Sequence, residues 1–134
     1  MIKKEITLCG KQVTLAYCFA TEIEYKRLAN RNKKKDEEFE YIDDFISDAI
    51  KQLQKGRMPD PERSNYAILA AIKAWCDDQG IKESPINEND LKFHTNPQEA
   101  AEAIGTIIGI RSDFYYVPAD EKKEKKTDDD SKNG

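Results

Sequence analysis

Acid–base, nucleophilic and metal chemistry each need particular side chains close together, and in this sequence those side chains stand apart. His94 is the only histidine, so any site needing two imidazoles is excluded and a Ser-His-Asp arrangement is hard to build. Beside a capped turn it reads as a polar surface or capping residue. Cys9, Cys18 and Cys76 lack the short paired spacing of a structural zinc site. Cys18 and Cys76 border apolar stripes and read as core fillers, whereas Cys9 flanks a turn. Glu40, Asp43, Asp44 and Asp48 precede Lys51 and Lys55 on one helical segment. That is the charge order a helix dipole favours, so these acids read as helix electrostatics and not as a catalytic pair. The six glycines are scattered, and none of them opens a phosphate-binding turn between a strand and a helix. Asp128, Asp129 and Asp130 belong to a charged terminal run and not to a calcium loop. No cofactor, no metal ligand and no catalytic residue is therefore expected, and the chain reads as a non-enzyme.

The elements that would position any site are clearer. Residues 1–17 predict a β-hairpin, with Gly10 and Lys11 as its two-residue loop. Leu8 then faces Val13, Ile6 faces Leu15 and Lys4 faces Tyr17, while Lys3, Glu5, Thr7, Gln12, Thr14 and Ala16 form a wet face. Two strands alone are marginal, so helices or a third strand must cover the apolar face. The segment from Phe114 to Val117 is the candidate strand. Thr21 and Glu24 have capping-box spacing, and Phe19, Ile23 and Leu28 suit a short helix ending near Asn30. Phe39, Ile42, Phe45, Ile46, Ala49, Ile50 and Leu53 predict a second helix, ended by Gly56. Pro61 starts a third that runs to Gly80, with Tyr66, Leu69, Ile72, Trp75 and Cys76 inward. Asn87 and Asp90 cap a short turn around Leu91 and Phe93, and Asn96 with Pro97 starts a last helix reaching about Ser112.

The chain is therefore expected to be an α+β domain, an N-terminal hairpin packed with about four helices, occupying residues 1–117. Residues 118–134 carry five lysines, six acids and no large apolar side chain, so a disordered charged tail is expected there. The longest apolar runs fall short of the ~20 residues a spanning helix needs, and MIKKEIT is not followed by a signal-peptide core. A soluble, intracellular chain with no membrane partner is expected. Arg27, Arg31, Lys33, Lys34 and Lys35 run directly into Asp36, Glu37 and Glu38. Their fields cancel within a Debye length of ~10 Å, and no stacking aromatics interleave with them, so no nucleic-acid partner is expected.

One feature points toward assembly. From Ala100 to Ile110 the last helix is apolar almost all round, broken only by Glu102 and Thr106. It carries Gly105 and Gly109 four residues apart. Small residues at that spacing let another helix approach closely, either across an internal crossing, the reading favoured here, or at a partner surface. Ile104, Gly105, Ile108 and Gly109 are the candidate protein-binding residues, and a homo-oligomer is left open.

The opening KKEITLCGKQVTLAYCFATEIEYK, the middle DFISDAIKQLQKG and SNYAILAAIKAW, and the closing AEAIGTIIGIRSDFYYVP resemble the small tail assembly chaperones of tailed bacteriophages and prophages. The resemblance implies a cytoplasmic α+β protein of the bacterial host. Such a protein binds the helical tape-measure protein, helps recruit tail-tube subunits, and leaves the finished tail. The alternatives are a phage structural adaptor of the head–tail connector kind and a prophage-borne module binding one host protein.

Overall fold

A computed structural model describes residues 1–118, and the charged tail expected beyond Pro118 lies outside the described residues. The chain is α+β. Strands β1 (Ile2–Leu8) and β2 (Lys11–Tyr17) form an antiparallel hairpin, followed by helices α1 (Phe19–Asn30), α2 (Ile42–Gln54), α3 (Pro61–Gln79), α4 (Glu88–His94) and α5 (Pro97–Tyr115). That is five helices where about four were expected.

The hairpin turns at Cys9 and Gly10, one residue earlier than expected, and the pairing is Ile2↔Tyr17, Ile6↔Val13 and Leu8↔Lys11. The cause is the turn type. Both central residues have positive φ, 54° at Cys9 and 75° at Gly10, as a primed hairpin turn requires. Glycine adopts that conformation freely; cysteine needs support. The support is tertiary: the Cys9 N–H donates to Glu99 Oε1 at 3.1 Å, and Cys9 Sγ lies 2.9 Å from Thr95 Oγ1. Because each strand residue now faces a partner two positions away from the expected one, the alternation of the two faces is kept, but Ala16, expected on the wet face, is fully buried. Ile6, Leu8, Val13, Leu15 and Tyr17 are buried.

Helices alone cover that face, α5 against both strands and α3 against β2. Among the described residues no third strand forms, because α5 continues through Phe114 and Tyr115 before the chain turns extended at Tyr116. Nothing after Ser112 breaks the helix until Pro118, which disfavours helical backbone at Val117. The Phe114 ring instead packs against Tyr17, with 5.7 Å between centroids.

At the start of α1 the cap is Cys18, and Thr21 occupies the third helical position. The Cys18 N–H donates to Thr21 Oγ1 at 3.2 Å, and the Thr21 hydroxyl donates to the Ala16 carbonyl at 2.8 Å. Thr21 is thus a fully buried clasp between strand and helix, not the N-cap. The expected starts of the later helices are present: Asp60 caps α3 ahead of Pro61, Asn87 and Asp90 form a reciprocal box on α4, and Asn96 caps α5 ahead of Pro97. Gly80, at φ 72°, ends α3 in the left-handed conformation.

Helix α3 is the centre of the fold, packed by α1, β2 and α5. Its buried residues include Ala67, Ile68, Ala70, Ala71, Ile72, Ala74 and Cys76. Alanines let neighbouring elements come close on several sides at once. Trp75, expected inward, is only half-buried. It lies beside the polar face of the hairpin, with Lys3 Nζ 4.5 Å from its ring centroid. Leu69 is also half-buried.

The acids read as helix electrostatics do more than that. Glu40 accepts hydrogen bonds from Arg63 Nε at 2.7 Å and from the Tyr25 hydroxyl at 3.0 Å. Asp48 pairs with the same Arg63 at 2.9 Å, and Asp43 pairs with Arg111 at 2.6 Å. These pairs tie α2 to α3 and α5.

Candidate protein-binding surface

The residues singled out on α5 divide. Ile104 has no exposed surface and belongs to the core, so it cannot meet a partner. Ile108 is half-buried, while Gly105 and Gly109 face outward. A Cβ added at either glycine would meet nothing within 4 Å. Among the described residues the expected internal helix crossing is therefore absent at both positions. With Ser112 the two glycines form a strip of small side chains on the outer face of α5, one residue type after another that the domain's own packing does not require.

A second, larger surface lies where α1 starts and α5 ends. Phe19 is 62% exposed and Ile23 68% exposed, one helical turn apart on α1. Tyr115 (47%) ends α5, and Tyr116 (67%) and Val117 (53%) follow it, all exposed. The Phe19 and Phe114 rings meet edge to face at 5.4 Å, and Phe114 touches Tyr115 at 5.0 Å. Phe19, Phe114 and Tyr115 are therefore one connected group of rings, anchored through Phe114 to buried Tyr17.

Sequence reasoning placed Phe19 and Ile23 inward and gave residues 114–117 to a strand. A helical wheel holds the missed signal for α1. At 100° per residue Phe19 and Ile23 fall on one side, and Thr21, Tyr25 and Leu28 on the opposite side. The second set is the buried one. A short helix with two apolar faces can bury one against its own domain and leave the other to solvent.

The platform is held by a small polar network. Glu22 accepts a hydrogen bond from the Tyr17 hydroxyl at 2.7 Å and another from the Tyr115 hydroxyl. Burial first, and then the Glu22 carboxylate, push the Tyr17 phenol well above its usual range. The hydrogen bond to Glu22 raises that of Tyr115 too. Arg111 lies over the Tyr115 ring at 5.2 Å and is paired with Asp43. Asp113 is exposed in the last turn of α5.

Other surfaces offer less. Phe39 and Tyr41 are exposed, but the Lys26 ammonium sits over both rings, at 5.4 and 5.1 Å. A cleft of about 420 Å³ lies between the start of α3, α4 and the start of α5, lined by Met58, Leu91, Pro97 and Ala100. Ser64 also borders it, and its hydroxyl has no partner. That oxygen is sealed from solvent, so it offers no hydrogen bond to a molecule in the cleft. His94 is exposed on α4, Cys76 is buried, and Cys9 and Cys18 are half-buried. Among the described residues no group of three or more His, Cys, Asp or Glu side chains is placed to hold a metal ion, and no helix is long and apolar enough to cross a membrane.

Comparison with family models, with curated proteins and with solved structures finds no match for the chain. The geometry therefore defines a surface and not a family.

Proposed function

We propose that this chain is a non-enzymatic protein-binding module that serves as a tail assembly chaperone of a bacteriophage or prophage. In this reading it works in the cytoplasm of the bacterial host, holding the helical tape-measure protein and tail-tube subunits before the tail is complete. The observation that carries it is the exposed apolar and aromatic group of Phe19, Ile23, Tyr115, Tyr116 and Val117 where α1 starts and α5 ends, on a small domain. Large contiguous apolar surface in water is costly and marks an interaction site. The resemblance of the hairpin, middle and closing segments to tail assembly chaperones supports the specific role.

The test is co-expression with the tape-measure product of the same gene cluster. The expected result is a rise in soluble tape-measure protein and its co-purification with this chain. If neither occurs, the chaperone reading fails, and a structural adaptor that stays in the particle takes its place. Recovery of the chain from purified virions would establish that second role.

A further inference from the structure

We infer that the open edge of β1 pairs with the same edge of a second copy of this chain, antiparallel and centred on Lys4, so that two hairpins join into one four-stranded sheet. The pairing is independent of the role proposed above and uses a different part of the molecule.

The backbone supplies the attraction. Among the described residues the sheet consists of β1 and β2 alone. In a hairpin with a two-residue loop the pair beside the loop, here Leu8 and Lys11, exchanges hydrogen bonds, and every second pair after it does the same. Leu8, Ile6, Lys4 and Ile2 therefore turn their N–H and C=O groups toward β2, whereas Lys3, Glu5 and Thr7 turn theirs outward. All three of these residues are exposed. The ladder runs unbroken from Ile2 to Leu8, with no bulge and no proline to blunt the edge. The other strand differs: α1 and α3 pack against β2, and Leu15, Ala16 and Tyr17 have no exposed surface. A two-fold pairing of β1 uses the open edge of each copy, so the assembly closes at two.

Charge selects the partner and the register. Side chains facing each other across an antiparallel pair share one face of the sheet, so β1 can meet its own copy only about a residue. Centred on Lys3 or Glu5, the strand sets that residue's charge against itself. Centred on Ile6, it gives Lys3 and Glu5 no opposite charge. Centred on Lys4, Lys3 of each copy faces Glu5 of the other, twice on the wet face, and Ile2 faces Ile6 twice on the apolar face. Lys3 and Glu5 then also exchange their outward backbone hydrogen bonds. Neither is in an ion pair among the described residues, and the Lys3 ammonium rests only on the Trp75 ring. The exposed Lys4 meets its own copy at the axis. One like pair set against two opposite pairs keeps the dimer weak and reversible. Because α5 contacts both strands, the two α5 helices stand about two strand spacings apart, roughly 10 Å, which leaves room for them side by side.

The test is analytical ultracentrifugation of the full chain between about 1 μM and 1 mM, with amide hydrogen exchange at both ends of that range. A monomer–dimer equilibrium is expected, with the Lys3, Glu5 and Thr7 amides more protected at the high end and those of Gln12 and Thr14 unchanged. Glu5→Lys and Lys3→Glu should each weaken the dimer about tenfold. The double exchange Lys3→Glu, Glu5→Lys should restore it, because the facing charges are again opposite and the net charge is that of the native chain. Lys4→Thr should tighten it a few-fold by removing the like pair. All three side chains are exposed, so melting temperatures at the dilute end confirm that each variant is folded.

A chain that stays monomeric across the range overturns the assignment. So does a dimer that neither single charge variant weakens, or one that Ile23→Ser dissolves instead, which would move the contact to α1. Failure of the double exchange to restore pairing overturns the register centred on Lys4 and the inference with it. None of these results bears on co-expression with the tape-measure protein, which tests the role separately.

Discussion

Helices α3 and α5 invite comparison because they are built alike and used differently. Each has 19 residues, begins with a capping side chain followed by proline, and runs past the hairpin. Between Ala100 and Ile110 α5 is the more continuously apolar. Yet nine residues of α3 are buried and only four of α5, Ala103, Ile104, Ile107 and Ile110. The difference is position: α3 has neighbours on several sides, whereas α5 lies against the sheet with its glycine face outward. Apolar composition tells how much surface a helix can hide. Only its neighbours determine how much it does hide.

The sharpest way to break this comparison is to cut the same side chain from each helix and from the platform. Ile68→Ala in α3 and Ile107→Ala in α5 should each cost ~2–5 kcal/mol, since both side chains are fully buried. Ile23→Ala on the outer face of α1 should stay within about 0.5 kcal/mol. Urea unfolding measures all three. A large loss at Ile23 would mean that the platform is part of the core.

Alkaline pH probes both regions together, through Tyr25 in the interior and Tyr17 under the platform. Burial is the main cause of the raised Tyr25 phenol, with the Glu40 carboxylate next, as burial and then Glu22 act on Tyr17. The folded state therefore holds these protons more tightly than the unfolded chain. Their contribution is intact below the unfolded value near 10 and is lost as pH rises above it. Each phenol should remove about 1.4 kcal/mol per pH unit beyond that point. Tyr25→Phe should flatten the decline measured by chemical unfolding at pH 9, 10 and 11; an unchanged slope would show that Tyr25 is accessible to water.

Adding bulk gives opposite signs on the two helices. Ala71→Leu, inside α3, should cost ~1–3 kcal/mol by overpacking. Gly105→Ala meets open space and should raise stability by up to ~1 kcal/mol through helix propensity alone. Thermal melts of the pair suffice, and destabilisation at Gly105 would place a neighbour there. Between these lies Trp75, half-buried beneath Lys3. Trp75→Ala should cost about 1–2 kcal/mol, below the ~3–5 of a fully enclosed tryptophan.

Much of the fold was legible in the residues, where the signal was local. Asp60 with Pro61, Asn87 with Asp90, Asn96 with Pro97, and the left-handed Gly56 and Gly80 all sit where helix ends need them. Those choices are made within four residues, by backbone groups seeking partners. The hairpin faces were legible for the same reason, as strand alternation survives a shift of two. The register was not, because Cys9 holds its positive φ through Glu99, 90 residues away. Of the candidate site, Gly105 and Gly109 were found by spacing, but whether they faced inward or outward was beyond a one-dimensional pattern. The platform was missed altogether, since Phe19 and Ile23 look like core until Tyr25 and Leu28 are seen on the opposite side.

By itself, then, the sequence determined an α+β chain, its hairpin and its helix ends, because propensity and capping act over short range. Tertiary structure alone decided that Thr21 is a buried clasp, that Trp75 stands at the rim, that α5 keeps its glycines open and that a ring of aromatics faces solvent. Burial is a property of what packs against a residue. Once α3 had taken the centre, the second apolar face of α1 and the outer face of α5 were left without neighbours among the described residues.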